Sequence, residues 1–137
     1  MKRNPAQPQR AVLLYNLESG PRGSKIRAYL QQQGIHVIDV PPADDLQPLG
    51  ALLELPAFPR SNRVSPLRLF REEMMVMFAM QGAVMSEFLQ FFRDEGLSPV
   101  ALKAVVTPTN VTWTSNALYQ ELCREREAFA QKRRDPS

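Results

Sequence analysis

The sequence predicts an α/β protein: a three-layer sandwich around a four-stranded, mainly parallel sheet of strand order 2-1-3-4. Three observations lead there. Two runs, AVLLYNL at 11–17, apolar but for Asn16, and MMVMFAM at 74–80, are near-continuously apolar rather than alternating, the pattern of strands covered on both faces. Each is followed by a glycine-bounded amphipathic stretch and a second, shorter strand-like run. The two halves also superimpose. At an offset of 62, Val12 falls on Met74, Gly20 on Gly82, Ile26 on Phe88, Tyr29 on Phe91, Leu30 on Phe92 and Gly34 on Gly96. Past the second strand the offset becomes 67, pairing Pro41 with Pro108, Asp45 with Thr112, Leu46 with Trp113 and Leu55 with Leu122. Agreement of caps, stops and apolar positions together predicts one βαβα unit written twice. The single domain then spans 11–131, with repeat one at 11–55, a connector at 56–72 and repeat two at 73–131.

The elements follow in order. The first strand occupies 11–17 and is central. Gly20 serves as an N-cap and Pro21 as the first helical residue, where its missing N–H costs nothing. Ile26, Tyr29 and Leu30 recur at helical spacing, and Gly34 supplies a left-handed stop. A short strand at 36–40 is closed by Pro41 and Pro42, which cannot donate to a ladder. Asp45 caps a second helix that reaches about Leu55. The stretch 56–71, with three prolines and four arginines, shows no periodicity. The third strand is 74–80, and Gly82 opens a helix lined by Phe88, Leu89, Phe91 and Phe92 that Gly96 ends. A fourth strand at 100–107 is broken by Pro108. Thr112 caps a last helix containing Trp113, Leu118, Leu122 and Phe129.

Two such units join in one of two ways. In the parallel arrangement, right-handed crossovers send the first and third helices to opposite faces, and the C-terminal ends of strands 1 and 3 adjoin. In a ferredoxin-like α+β alternative the halves meet antiparallel and the main helices share one face. Continuous apolar runs in both central strands need cover on both sides, which favours the parallel form.

Composition sets further bounds. A chain of 137 residues, 44% of them hydrophobic, can bury one core without a metal or disulfide. The longest apolar run, seven residues at 74–80, is far below the roughly 20 that a membrane span requires. Cys123 and His36 are the lone residues of their types, so there is no internal disulfide and too few ligands for a Cys/His zinc site. A cytoplasmic setting follows. The segments 1–10, 56–71 and 132–137 hold ten of the 17 cationic side chains and only Asp135 of the 14 anionic ones. An acidic body thus carries basic appendages, with disordered tails expected at 1–10 and 132–137.

No motif supplies catalytic equipment. The run Gly20-Pro-Arg-Gly-Ser-Lys25 lies where a phosphate loop would, but its spacing is wrong for a Walker A motif and Pro21 removes a donor. Asp44 and Asp45 read as helix-start carboxylates, Lys103 as an edge-strand lysine, and the methionines at 74, 75, 77 and 80 as core. Catalytic and metal residues are therefore expected to be absent, as are cofactors. The candidate ligand-binding residues are Asn16, Gly20, Gly82, Thr109, Asn110 and Trp113, grouped at the C-terminal edge of a parallel sheet, where ligands bind in open α/β folds. Trp113 has a competing reading as core, through its match to Leu46.

The stretch LKAVVTPTNVTW at 102–113, together with VLLYN at 12–16 and QPLG at 47–50, resembles a family of small bacterial proteins known only as a domain of unknown function. The likeness spans roughly 11–129. It implies a bacterial, cytoplasmic protein and carries no activity, cofactor or catalytic residue with it. The functional expectation is a non-catalytic binding or regulatory domain with a protein partner or small ligand. One alternative is an RNA- or ribosome-associated protein using Arg60, Arg63, Arg68 and Arg71; a small enzyme is the other.

Overall fold

The computed structural model describes residues 9–17 and 19–134. The expected tails at 1–10 and 132–137 lie outside these residues for 1–8 and 135–137. The described residues form two compact units, one from those of 9–40 with 72–106, the other from 41–71 with 107–134. Among the described residues no helix is long and apolar enough to cross a membrane.

The first unit holds the sheet: β1 (Ala11–Tyr15), α1 (Gly20–Gln32), β2 (His36–Asp39), β3 (Met74–Phe78), α3 (Ala83–Asp94) and β4 (Leu102–Val105). Strand order is β2-β1-β3-β4, as the sequence predicts, with β1 parallel to β2 and β3 parallel to β4. The junction differs. β1 and β3 pair antiparallel, Ala11 opposite Phe78 and Tyr15 opposite Met74, so the C-terminal ends of the two strands lie at opposite ends of the sheet. The expectation of a parallel junction is thereby corrected, and the sheet is mixed. The reason is that continuous apolar runs specify burial but not direction. Side chains on both faces of β1 and β3 are indeed buried, Leu13, Leu14, Met75 and Val76 completely.

Two halves related by a two-fold axis perpendicular to the sheet meet antiparallel, each keeps its right-handed crossover, and both helices lie on the same face. Accordingly Ile26 and Leu30 of α1 share one core with Phe88 and Phe92 of α3, over Val12, Leu14, Met75 and Met77. Tyr29 stacks on Phe91 with ring centroids 4.4 Å apart, a contact worth about 0.5–1.5 kcal/mol beyond burial. Helices on opposite faces could not meet so. The shared face and antiparallel junction belong to the ferredoxin-like alternative. The strand order does not, because β1 and β2 are direct neighbours and no strand splits the βαβ unit.

Both main helices end as the glycines predict. Gly34 and Gly96 have φ of +73° and +64°, one residue past the C-caps Gln33 and Glu95. In each, the next N–H reaches back to the same carbonyl, Ile35 to Leu30 O (2.9 Å) and Leu97 to Phe92 O (2.8 Å), which is the Schellman pattern. Helix α1 begins one residue earlier than expected, with Ser19 rather than Gly20 as N-cap.

The second unit contains a 3-10 turn at Pro42–Asp44, α2 (Leu49–Leu52), a 3-10 turn at Asn110–Thr112 and α4 (Ser115–Arg134). Here the expected helix starts fail. Asp45 and Thr112 do not cap helices; instead Pro48 and Thr114 face each other in an isolated antiparallel bridge, and the Leu49 N–H donates to Trp113 O (2.8 Å). The bridge holds both segments extended, which delays both helices. Thr114 then caps α4, its Oγ1 accepting from the Ala117 N–H (3.1 Å). The proline-rich stretch 56–71 is without helix or strand, yet it is fixed: Gln47 exchanges hydrogen bonds with Ser61 and donates to Arg63 O, and Phe70 stacks on Tyr119 at 4.4 Å.

Helix α1 reaches its seat through Gly23, where a Cβ would stand 2.0 Å from the Leu17 carbonyl oxygen. Alanine would raise helix propensity by about 1 kcal/mol, but relieving that backbone overlap has to shift the helix, an overpacking cost of typically about 1–3 kcal/mol. Gly23→Ala should therefore lower the urea midpoint at an unchanged slope; a midpoint above wild type would show that helix propensity outweighs the overlap.

Candidate functional site

The six residues singled out by sequence do not converge as a parallel sheet would bring them. Asn16 and Gly20 follow β1, at the end where β3 begins. Gly82 follows β3, at the opposite end of a sheet whose five-residue strands run about 15 Å. Asn16, in the left-handed region at φ +63°, donates from Nδ2 to Glu72 O (2.8 Å) and so fixes the chain just ahead of β3. Gly20 and Gly82 have φ of +91° and +58° at helix starts. Thr109, Asn110 and Trp113 belong to the second unit. There Asn110 Oδ1 accepts from the Thr107 N–H (2.9 Å) and Thr107 Oγ1 from the Asn110 N–H (3.0 Å), a reciprocal turn that occupies these polar groups locally. Thr109 is exposed. Trp113 is half-buried, between its core and site readings, and lies in the extended link before α4 rather than inside a helix.

The cationic residues sort by partner. Arg22, in the run that resembled a phosphate loop, donates to both oxygens of Glu73 (2.7 Å each), to Ser98 O (2.9 Å) and to Pro99 O (2.8 Å), a clamp rather than an anion site. Arg27 reaches from α1 to the end of β2, with Nε and Nη2 on the two Asp39 oxygens (2.9 and 2.7 Å) and Nη2 also on Leu17 O (2.8 Å). In the second unit Arg60 pairs with Asp44 at 2.6 Å and Arg68 with Asp45 at 2.5 Å. Arg93 and Lys103 make no ion pair with any described residue.

Those two cations stand at a cleft of about 290 Å³ in the sheet unit, lined otherwise by Leu89, Phe92, Leu97, Pro99 and Val100. It lies between α3 and the outer strand β4. The matching place between α1 and β2 is where Arg27 grips Asp39, and the correspondence can be checked by geometry. Asp39 sits opposite Leu14, as Val105 sits opposite Met77, and the ladder centred on Leu13 and Val76 makes Leu14 and Met77 equivalent, so the strands match at an offset of 63 rather than the expected 62. Arg27 precedes Leu30 by one turn, as Leu89 precedes Phe92. An ion pair that straps helix to edge strand in one half is thus replaced in the other by Leu89 and Val105, 39% and 47% exposed. The sequence reading missed Leu89, Arg93 and Val105 because it matched only apolar positions and stops between the halves; comparing the charged positions would have exposed the exchange.

No described group of three or more His, Cys, Asp or Glu is placed to hold a metal ion. The most constrained carboxylate is Asp45, fully buried, which accepts from the Leu69 N–H (3.0 Å) and from Arg68. Burial pushes its carboxyl above the ordinary carboxylate pKa, outweighing the pull of Leu69 and Arg68 in the other direction. An acid whose pKa is higher folded than unfolded binds its proton more tightly in the folded state. Its contribution is therefore greatest below the unfolded pKa and is lost as pH rises through the folded value. Asp45→Asn cannot ionise, so the stability of wild type minus that of the variant should fall as pH increases through this window. Denaturant melts from pH 3 to 7 check it; a difference that grows with pH would mean that Arg68 governs the carboxyl instead.

No curated protein and no solved structure matches the chain. Residues 73–129, which include β3, α3, β4, every residue lining the cleft and most of α4, match the model of a family described as Domain of unknown function (DUF3783), and it is to this family that the second half of the chain is similar.

Proposed function

We propose that the protein is a non-catalytic binding domain whose ligand occupies the α3–β4 cleft of the sheet unit. The observation that carries this reading is the exchange of the Arg27–Asp39 strap for the exposed pair Leu89 and Val105 beside a concave apolar surface. Large apolar side chains left exposed around a cleft cost solubility and are characteristic of interaction sites. The single cysteine fits a reducing, cytoplasmic setting. The nucleic-acid alternative loses support, since Arg60 and Arg68 are engaged by Asp44 and Asp45, leaving only Arg63 and Arg71 of the four.

The test rebuilds the missing strap. Leu89→Arg combined with Val105→Asp should form an ion pair like that of Arg27 and Asp39, closing the cleft with the fold intact. In an NMR fragment screen, wild-type shift changes should gather on Leu89, Leu97, Val100 and Val105, and the double variant should lose them while keeping its dispersed spectrum. Hits that gather instead at Thr109, Asn110 and Trp113, or that persist in the double variant, would move the site elsewhere.

A further inference from the structure

Resting on the cleft as the binding site, we infer that its ligand is a small amphipathic anion, an apolar body ending in a carboxylate. The walls and the rim divide the work. Leu89, Phe92, Leu97 and Val100 offer apolar surface, and the cavity of about 290 Å³ is at the lower end of the range for small-molecule sites. It suits an aromatic ring or short aliphatic chain rather than a cofactor.

The head group is chosen by charge. Arg93 and Lys103 both line the cleft, and both lack the carboxylate that Arg22 and Arg27 possess in the same unit. Among the described residues Lys103 has a hydrogen bond only to the Val100 carbonyl oxygen, at 3.5 Å. The register puts Lys103 opposite Met75, a member of the core beneath α1 and α3, so its stem rises on the helix-bearing face of the sheet and its ammonium stands over the same cleft that Arg93 borders from α3. Two cations beside apolar walls, without an internal counter-charge, favour an anion whose desolvation is offset by paired charge-assisted hydrogen bonds. Arg93 supplies the planar fork that a carboxylate can engage at two points, and Lys103 a mobile point charge.

A matched series tests this: 4-phenylbutanoate, 4-phenylbutanol and 4-phenylbutylammonium, titrated into the full chain while the Leu89 and Val105 methyl resonances are followed. The carboxylate should bind at least tenfold more tightly than the alcohol, with the ammonium weakest. Arg93→Gln and Lys103→Gln, both at exposed positions, should each reduce the preference for carboxylate over alcohol while alcohol binding persists. Equal binding of carboxylate and alcohol, or a preference untouched in both variants, overturns the anion inference and leaves the apolar cleft standing. Binding of none of the three overturns it as well, and the fragment screen then decides separately whether the cleft is a site at all.

Discussion

The antiparallel pairing of β1 with β3 is the constraint on which the sheet unit depends. Each strand brings with it a right-handed βαβ crossover, so the direction in which the two strands meet decides where both helices go. Meeting antiparallel, they place α1 and α3 side by side on one face, and Ile26, Leu30, Phe88 and Phe92 close over the same four strand residues. The pairing is symmetric about Leu13 and Val76. That symmetry explains why Tyr29 and Phe91, which occupy matching places in the two helices, end stacked on each other. Around this centre, Arg22 ties the start of α1 to Glu73 ahead of β3 and to the loop before β4, and Asn16 ties the end of β1 to the Glu72 carbonyl.

Symmetry at the centre makes the difference at the edges informative. On one side a bidentate arginine–aspartate pair joins the helix to the outer strand, with side-chain exposures of 18% and 36%. On the other, the same two places hold leucine and valine. An exposed ion pair contributes little to stability in itself, so folding did not require the strap in both halves. What the exchange changes is the character of the surface. One edge is sealed by polar groups that satisfy each other, and the other presents apolar walls next to Arg93 and Lys103.

Much of the fold was legible because it rests on local chemistry. The glycine stops at Gly34 and Gly96, the burial of both faces of β1 and β3, and the strand order all follow from residue pattern. Direction did not, since Leu13 is buried equally well against a parallel or an antiparallel Val76. The helix starts near Asp45 and Thr112 were misread for a related reason: the bridge between Pro48 and Thr114 joins residues far apart in sequence, and no local cap signal reports it. Arg60 and Arg68 read as part of a free basic segment because their partners, Asp44 and Asp45, read in sequence as helix-start carboxylates. The cleft is legible only in retrospect, as a place where matched positions differ in polarity.

The β1–β3 ladder also has a cost in time. Its partners are separated by 59 to 67 residues along the chain, so the innermost pairing of the sheet is among its least local. At a synthesis rate of about 5–20 residues per second, β1 has to wait roughly 3–12 s for β3 to be made. For the rest of that interval once residue 39 has been made, AVLLY has β2 available on one side and nothing on the other. The first βαβ segment is thus a nascent species with an unpaired apolar edge, the state in which such chains aggregate or engage chaperones.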